Sequence, residues 1–462
     1  MQIEQLYTNC LAQGAYFIAS NGEAAVIDPL RETAAYLNLA VKAGAKIKYI
    51  FETHFHADFV SGHLDLAAAT GARIIYGPGA NTGFSAYIGK DSEVFTLGDL
   101  KITLLHTPGH TPESSCYLLE GPDNSPATLF TGDTLFIGDV GRPDLAQETV
   151  RGLTKEDLAG MLYDSLREKI MPLPDNTIIY PAHGAGSACG KNMSKATFDT
   201  LGNQKQFNYA LDPNLSRDSF IKGIVADLPP APAYFPFNAK LNSQGYEHMD
   251  SVLTRGMNPL SPTGFQERLN RAGVLILDSR DPEIFTKGYI PGAVNISLNG
   301  SFAPWVGALL PHDTPILLVT EIGKEQETII RLGRIGYDKI VGYLQGGIKA
   351  WIEKGFYTAN IPCISVTDFY ALFNDSTKAI DVRNSIEFDQ GHLPGALQSS
   401  LNLFSNTEIV LDKKTPHYVY CAGGYRSVIY ISLLKSKTDV NLINIDGGFN
   451  KLREFQNSTR QL

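Results

Sequence analysis

No stretch of the 462-residue chain is apolar for long enough to span a bilayer, and no run of basic residues interrupts it. The first absence leaves no membrane partner to expect. The second, together with a net charge of -9 and a pI near 5.6, argues against nucleic acid, because phosphate binding needs clustered Lys and Arg. The opening Met1-Gln2-Ile3-Glu4 has no positive segment and no leader-like apolar core, so a cytoplasmic location is expected. Cysteine is scarce: Cys10, Cys116, Cys189, Cys363 and Cys421 are odd in number and lack CxxC spacing, which fits a reducing compartment and excludes a disulfide framework. Cys10, Cys116 and Cys363 read as small buried hydrophobes. What remains is an ordinary globular composition, 43% apolar and 19% charged, in a chain long enough for about three domains.

The densest chemistry lies in Thr53-His54-Phe55-His56-Ala57-Asp58-Phe59, directly after Ile47-Lys48-Tyr49-Ile50-Phe51, which reads as a buried strand. On an extended segment alternate side chains share a face, so His54, His56 and Asp58 are expected to converge on one cation. Further candidates follow in order: His110 in Thr107-Pro108-Gly109-His110-Thr111, Asp133 in Thr131-Gly132-Asp133-Thr134, and His183 in Pro181-Ala182-His183-Gly184. Each follows a short apolar run and opens into a loop. Four ligand-rich strand ends on one rim make a metal site.

This ordered set resembles the metallo-β-lactamase superfamily, and the resemblance implies an αββα sandwich with metal at the sheet edge. Two-metal members of the glyoxalase II type read HxHxDH in the first motif, whereas this chain has Phe59 at the final position. A phenyl ring donates no lone pair, so one metal is expected. His63 reads as a structural hydrogen-bonding residue rather than a substitute ligand. The mononuclear branch most resembled is the persulfide dioxygenases. Carried over by motif, that implies one Fe(II) per chain on His54, His110 and Asp133, with His56, Asp58 and His183 behind the ligands, where Asp58 and His183 would shuttle protons. Two imidazoles and a carboxylate on one face leave positions open for substrate and O2, as a non-haem iron oxygenase needs, although the same set with a water could hold zinc.

The rest of the first domain, taken as residues 1–240, opens with a hairpin turning at Asn21-Gly22. A helix over Thr154–Lys169 starts at a Thr N-cap. Between Asp133 and that helix, Gly141-Arg142-Pro143-Asp144 resembles the Gly-Arg-x-Asp motif of the persulfide dioxygenases, which implies Arg142 near a substrate carboxylate; a loop-bracing pair with Asp144 is the equal alternative. The small residues after His183 place Cys189 near the metal pocket, either to relay sulfur or as passive wall. Residues 228–245, with their prolines, read as a stiff linker arm that packs its aromatics.

Beyond the arm the chain repeats itself. Leu277-Asp278-Ser279-Arg280 matches Ile380-Asp381-Val382-Arg383, and Ile290-Pro291-Gly292-Ala293 matches Leu393-Pro394-Gly395-Ala396 at the same offset. Residues 256–359 and 362–462 are therefore two α/β domains with mainly parallel sheets. Both resemble the rhodanese family, whose catalytic Cys opens a tight loop before a helix. The second copy has Cys421-Ala422-Gly423-Gly424-Tyr425-Arg426-Ser427, in which backbone N–H groups, the helix N-terminus and Arg426 favour a thiolate or the persulfide formed on it. In the first copy Glu321 is expected at the Cys421 position and Gln326 at that of Arg426, so that copy is expected to be inactive.

Over essentially the whole chain, this looks like the fusions of a persulfide dioxygenase with a pseudo-rhodanese and a rhodanese. The implied activity is O2-dependent oxidation of a persulfide of glutathione, coenzyme A or a similar thiol to sulfite, coupled through Cys421 to thiosulfate formation or use, in sulfide detoxification. A homo-oligomer is expected. Two rivals are a zinc thioester hydrolase of glyoxalase II type carrying rhodanese modules, and a non-enzymatic persulfide carrier or sensor.

Overall fold

The computed structural model describes residues 1–122, 125–145, 152–271, 273–406 and 410–459. The chain forms two compact units, one of Met1–Asp250 with Gly333–Gly336, the other of Ser251–Leu332 with Tyr337–Leu462. Among the described residues, no helix is long and apolar enough to cross a membrane.

In the first unit, two six-stranded sheets pack face to face. One carries Gln2–Thr8, Gln13–Ser20, Glu23–Ile27, Lys46–Phe51, Arg73–Tyr76 and Tyr87–Ile88 in sequence order. The other runs from Val94–Leu97 through Leu100–His106, Ser115–Glu120, Thr128–Gly132 and Ile178–Pro181 to Asp199–Thr200. Tyr16, Ile27 and Phe51 of the first sheet meet Leu104, Tyr117 and Phe130 of the second in the central core. Helices Ala34–Lys42 and His63–Thr70 cover one outer face, and Lys155–Ser165 the other, which completes an αββα sandwich. The first hairpin turns at Asn21 and Gly22, with φ of 46° and 79°, left-handed values that suit a tight two-residue turn. The helix Lys155–Ser165 begins with a reciprocal cap: Asp157 N donates to Thr154 Oγ1, and Thr154 N donates to Asp157 Oδ2.

The proline-rich segment is not an extended arm throughout. Pro236 sits in the first turn of a helix over Phe235–Gln244, where its missing N–H costs nothing, and this helix lies inside the first unit. The break between units therefore falls at Asp250, beyond the expected residue 240.

The second unit contains two five-stranded parallel sheets. Numbered within each copy, the strands follow the same spatial order, first, fifth, fourth, second, third. Ladder register corrects one expectation. Asp278 pairs with Val319 as Asp381 pairs with Tyr420, so Thr320, not Glu321, occupies the position of Cys421. The helices that follow begin at Glu325 and Tyr425, so Gln326 keeps the position of Arg426 and the loop of the first copy is one residue longer. Sequence alignment slipped by one residue because the two loops share no landmark; either way the first copy has no thiol there.

Candidate metal centre and sulfur-transfer loop

Both sheets contribute to one rim of the sandwich. His54 follows the strand Lys46–Phe51, His110 follows Leu100–His106, Asp133 directly follows Thr128–Gly132, and His183 follows Ile178–Pro181. All four side chains are buried.

Hydrogen bonds fix which nitrogens are free. Thr53 Oγ1 donates to Asp28 Oδ2 at 2.8 Å, so at its 3.0 Å contact with His54 Nδ1 it accepts, and the ring is protonated on Nδ1. His110 Nδ1 likewise donates to the Arg142 carbonyl at 2.8 Å. Both Nε2 lone pairs are left facing Asp133 Oδ2, at 3.9 Å for His54 and 3.4 Å for His110. That oxygen is buried and accepts no hydrogen bond. Burial first, and then the neighbouring His56 ring, hold His54 well below its ordinary pKa, so it is neutral as a ligand must be. An uncompensated buried carboxylate oxygen opposite two imidazole Nε2 atoms fits a cation. His54, His110 and Asp133 are a buried group that could hold a metal ion. Gly141 is needed for it: a Cβ there would lie 2.1 Å from the Asp133 carbonyl oxygen and 2.9 Å from His110 Nδ1.

The other members of the first motif do not converge on this point. The strand ends at Phe51 and residues 52–60 form an irregular loop, so strict alternation does not apply. His56 Nε2 lies 3.1 Å from Asp28 Oδ1 and 3.8 Å from Glu52 Oε2, in a separate buried cluster. Phe59 is fully buried with its ring 4.3 Å from that of His56. Asp58 pairs with His183, whose Nε2 donates to Asp58 Oδ2 at 2.8 Å while its Nδ1 donates to Asp133 Oδ1 at 2.7 Å. Burial opposes charge on this ring, but Asp133 and Asp58 outweigh it and hold the His183 pKa well above its ordinary value. Cys189 joins Asp58 and His183 in a third buried group. Burial, then Asp58 and Asp133, push its thiol up, so it stays protonated. His63 is buried with neither nitrogen hydrogen-bonded; its ring lies 4.9 Å from that of Phe84 and edge-on to Tyr246 at 5.4 Å, instead of serving as the expected hydrogen-bonding group.

Arg142 takes the bracing alternative. Its Nε and Nη2 both donate to Asp144 at 2.7 Å, and Nη2 also reaches the Pro229 carbonyl, so this fork does not face a substrate carboxylate. A cavity of about 260 Å³ opens onto His110, lined by Phe55, Asn81, Glu113, Ser243 and Gln244 among others. Sequence reasoning missed Asn242. Its Nδ2 donates to the carbonyls of His56 and Phe59 at 2.7 and 2.8 Å, and its Oδ1 accepts from Ser61 N at 2.8 Å.

In the second unit, Cys421 ends the strand His417–Tyr420 and is buried. Gly424 N donates to its Sγ at 3.1 Å, with φ of 105° at Gly424 aiming that N–H inward before the helix Tyr425–Lys435. Arg426 closes a two-toothed pair on Glu387, at 2.6 and 2.7 Å, beside the loop. Of the three cysteines expected in cores, Cys116 is there, Cys10 is half-buried, and Cys363 is exposed because its strand is an edge of the sheet.

Comparison with known proteins agrees with this division. A family model of the metallo-β-lactamase superfamily matches residues 9–183, and one of the rhodanese-like domain matches residues 261–354 and 365–454. The chain is 30% identical over 207 residues to the probable hydroxyacylglutathione hydrolase glo2 of Schizosaccharomyces pombe, covering 40% of this chain and 75% of that protein. It is 32% identical over 208 residues to the mitochondrial persulfide dioxygenase ETHE1 of Mus musculus, covering 43% and 70%. The crystal structure of a metallo-beta-lactamase from Staphylococcus aureus subsp. aureus COL superposes with a TM-score of 0.65 at 32% identity, covering 74% of this chain and 98% of that one.

Proposed function

Because the chain belongs to the metallo-β-lactamase superfamily and carries two rhodanese-like domains, we propose that it is a persulfide dioxygenase with a sulfurtransferase site at Cys421. The observation that carries this reading is the three-donor face of His54, His110 and Asp133, together with Phe59, which fills the place of a further donor with a ring. Fe(II) on that face would supply the electron-transfer chemistry that O2 needs to react with a persulfide sulfur.

The chain's own residues do the rest. Thr53 and the Arg142 carbonyl hold the two imidazoles in the one tautomer that exposes Nε2. His183, protonated between Asp133 and Asp58, would hold a proton and positive charge beside the developing sulfur oxyanion, with Asp58 placed to accept that proton from Nε2. The cavity at His110 would admit the substrate. Cys189, held as a protonated thiol at the edge of this group, takes the passive-wall role of the two expected for it. At Cys421, the Gly424 N–H supports negative charge on sulfur while sulfane sulfur is loaded from a persulfide and removed by sulfite as thiosulfate, or the reverse, with Arg426 held beside the loop by Glu387. Glutathione, coenzyme A or a similar thiol would carry the persulfide, in sulfide detoxification in the cytoplasm by a homo-oligomeric enzyme.

The test is O2 uptake by Fe(II)-loaded protein on addition of glutathione persulfide, with sulfite and thiosulfate quantified together. Uptake that His110→Ala removes supports the reading; no uptake with iron bound, across several persulfides, overturns it. One observation favours a second reading: Asp58, His183 and Cys189 offer donors for another ion, as a two-metal thioester hydrolase would need. Two zinc ions per chain with hydrolysis of a glutathione thioester would establish that instead.

A further inference from the structure

The cavity that opens onto His110 carries charge of one sign. At about 260 Å³ it falls below the roughly 300 Å³ at which sites for larger ligands begin, so it suits a compact molecule or the tip of a longer one. Phe55, Ala57 and Ala239 give it apolar walls, and Asn81, Ser243 and Gln244 give it uncharged polar ones. Among the described residues that line it there is no Lys or Arg, and Glu113 is the one carboxylate. Arg142, a candidate to meet a substrate carboxylate, is tied to Asp144 and the Pro229 carbonyl instead.

Glu113 is only 6% exposed and half engaged. Its Oε1 accepts from the Phe55 N–H at 3.0 Å, on the residue directly after His54. Among the described residues its Oε2 accepts no hydrogen bond and meets no cation, and it is not sealed off by protein. A carboxylate held this deep calls for a compensating charge, and the described lining offers none. The missing charge therefore arrives with the ligand. A carboxylate or phosphate beside the ligand's sulfur would be repelled by Glu113, and a hydroxyl would leave the charge uncompensated. An ammonium both neutralises the oxygen and donates to it.

We propose that Glu113 determines the specificity of this cavity by pairing with an ammonium group close to the ligand's sulfur, so that the persulfide taken up here is that of a small aminothiol. The inference rests on the reading of the metal centre as a persulfide dioxygenase and narrows the thiol within it. In an aminothiol such as cysteamine the ammonium stands two carbons from the sulfur, a span that a cavity of this size accommodates. With the ammonium at Glu113, the sulfur end is left for the His110 side. Glutathione has an amide, not an ammonium, beside its sulfur and a carboxylate at each end, for which the described lining has no cation.

Glu113→Gln isolates the charge, because the side-chain amide oxygen still accepts from the Phe55 N–H. With full-length Fe(II)-loaded protein, KM and kcat are measured by O2 uptake for the persulfides of cysteamine, mercaptoethanol and mercaptopropionate, which present an ammonium, a hydroxyl and a carboxylate. The wild-type KM for the cysteamine persulfide is expected to lie about tenfold below the other two, the worth of one charged hydrogen bond. In Glu113→Gln that KM is expected to rise about tenfold with kcat unchanged, while the mercaptoethanol value stays where it was. Anaerobic isothermal titration with S-methylcysteamine, which keeps the ammonium but cannot be oxidised as a persulfide, is expected to show binding that Glu113→Gln removes. Equal KM values for the ammonium and hydroxyl compounds, a preference for the carboxylate, or titration unaltered by Glu113→Gln overturns the proposal. The titration needs no turnover, so its failure is distinct from a failure of persulfide oxidation.

Discussion

Asn242 donates its side-chain amide to the His56 carbonyl oxygen at 2.7 Å, tying the helix Phe235–Gln244 to the loop that presents the first metal ligand. Three buried hydrogen bonds meet on this one side chain, and removing it strands two carbonyls and the Ser61 N–H away from water. Asn242→Ala is expected to weaken metal retention about 10- to 100-fold, as loss of a ligand-supporting group does. Competition against a chelator measures this, and retention equal to wild type would contradict it.

The two chemistries occupy different units and separate by mutation. His110→Ala is expected to drop bound metal to background and remove persulfide-dependent O2 uptake, while transfer of sulfur from thiosulfate to cyanide by Cys421 persists. Cys421→Ser is expected to do the converse and shift the product from thiosulfate to sulfite. Metal analysis and ion chromatography on the two variants check both halves.

Phe59 is a position where one ring decides metal count. Phe59→His adds a donor near Asp58 and His183, and metal content is expected to rise from about one to about two ions per chain. Elemental analysis after zinc loading decides it; a stoichiometry unchanged from wild type would mean that packing on His56 fixes the new ring away from Asp58.

His63 carries a pH dependence. Burial, then the neighbouring His56 and Arg31, push its pKa down to about 3, against about 6.5 in an unfolded chain. A depressed folded-state pKa means that the unfolded state binds the proton first. The stability held by the neutral ring is therefore complete above about pH 6.5 and is lost progressively as the pH falls toward about 3, at most a few kcal/mol. In metal-free protein, hydrogen-exchange protection of the helix His63–Thr70 is expected to decline less between pH 7 and pH 5 in His63→Phe than in wild type.

Much of this was legible in the sequence where local chemistry and tertiary structure agree. Asn21-Gly22 turns a hairpin because its left-handed geometry is intrinsic, and the duplicated Asp-x-Arg and Pro-Gly-Ala segments do build two sheets of one strand order. The direction of His56 was not legible, since alternation fails one residue past Phe51 and only packing decides where a loop side chain goes. Asn242 has no local signal at all; its partners lie about 180 residues away, and a polar residue in a helix ordinarily faces solvent. Thr320 rather than Glu321 emerged from ladder pairing, which a sequence shows only when the loops themselves align. Cys363 was misplaced because burial of a short strand depends on its rank in the sheet.

The paired Asp and Arg of the two halves have a diagnostic consequence. Arg280 Nη2 donates to Asp278 at 2.5 Å and to the Gly288 carbonyl at 3.0 Å; Arg383 Nη2 donates to Asp381 at 2.6 Å and to the Gly391 carbonyl at 2.7 Å. The same knot is tied once beside a thiol and once where there is none. Its presence in the silent half shows that it can serve the fold without serving sulfur, so the molecule contains its own internal control. A loss of transfer on altering Arg383 is to be weighed against the purely structural damage done by the same change at Arg280, and only the excess belongs to chemistry.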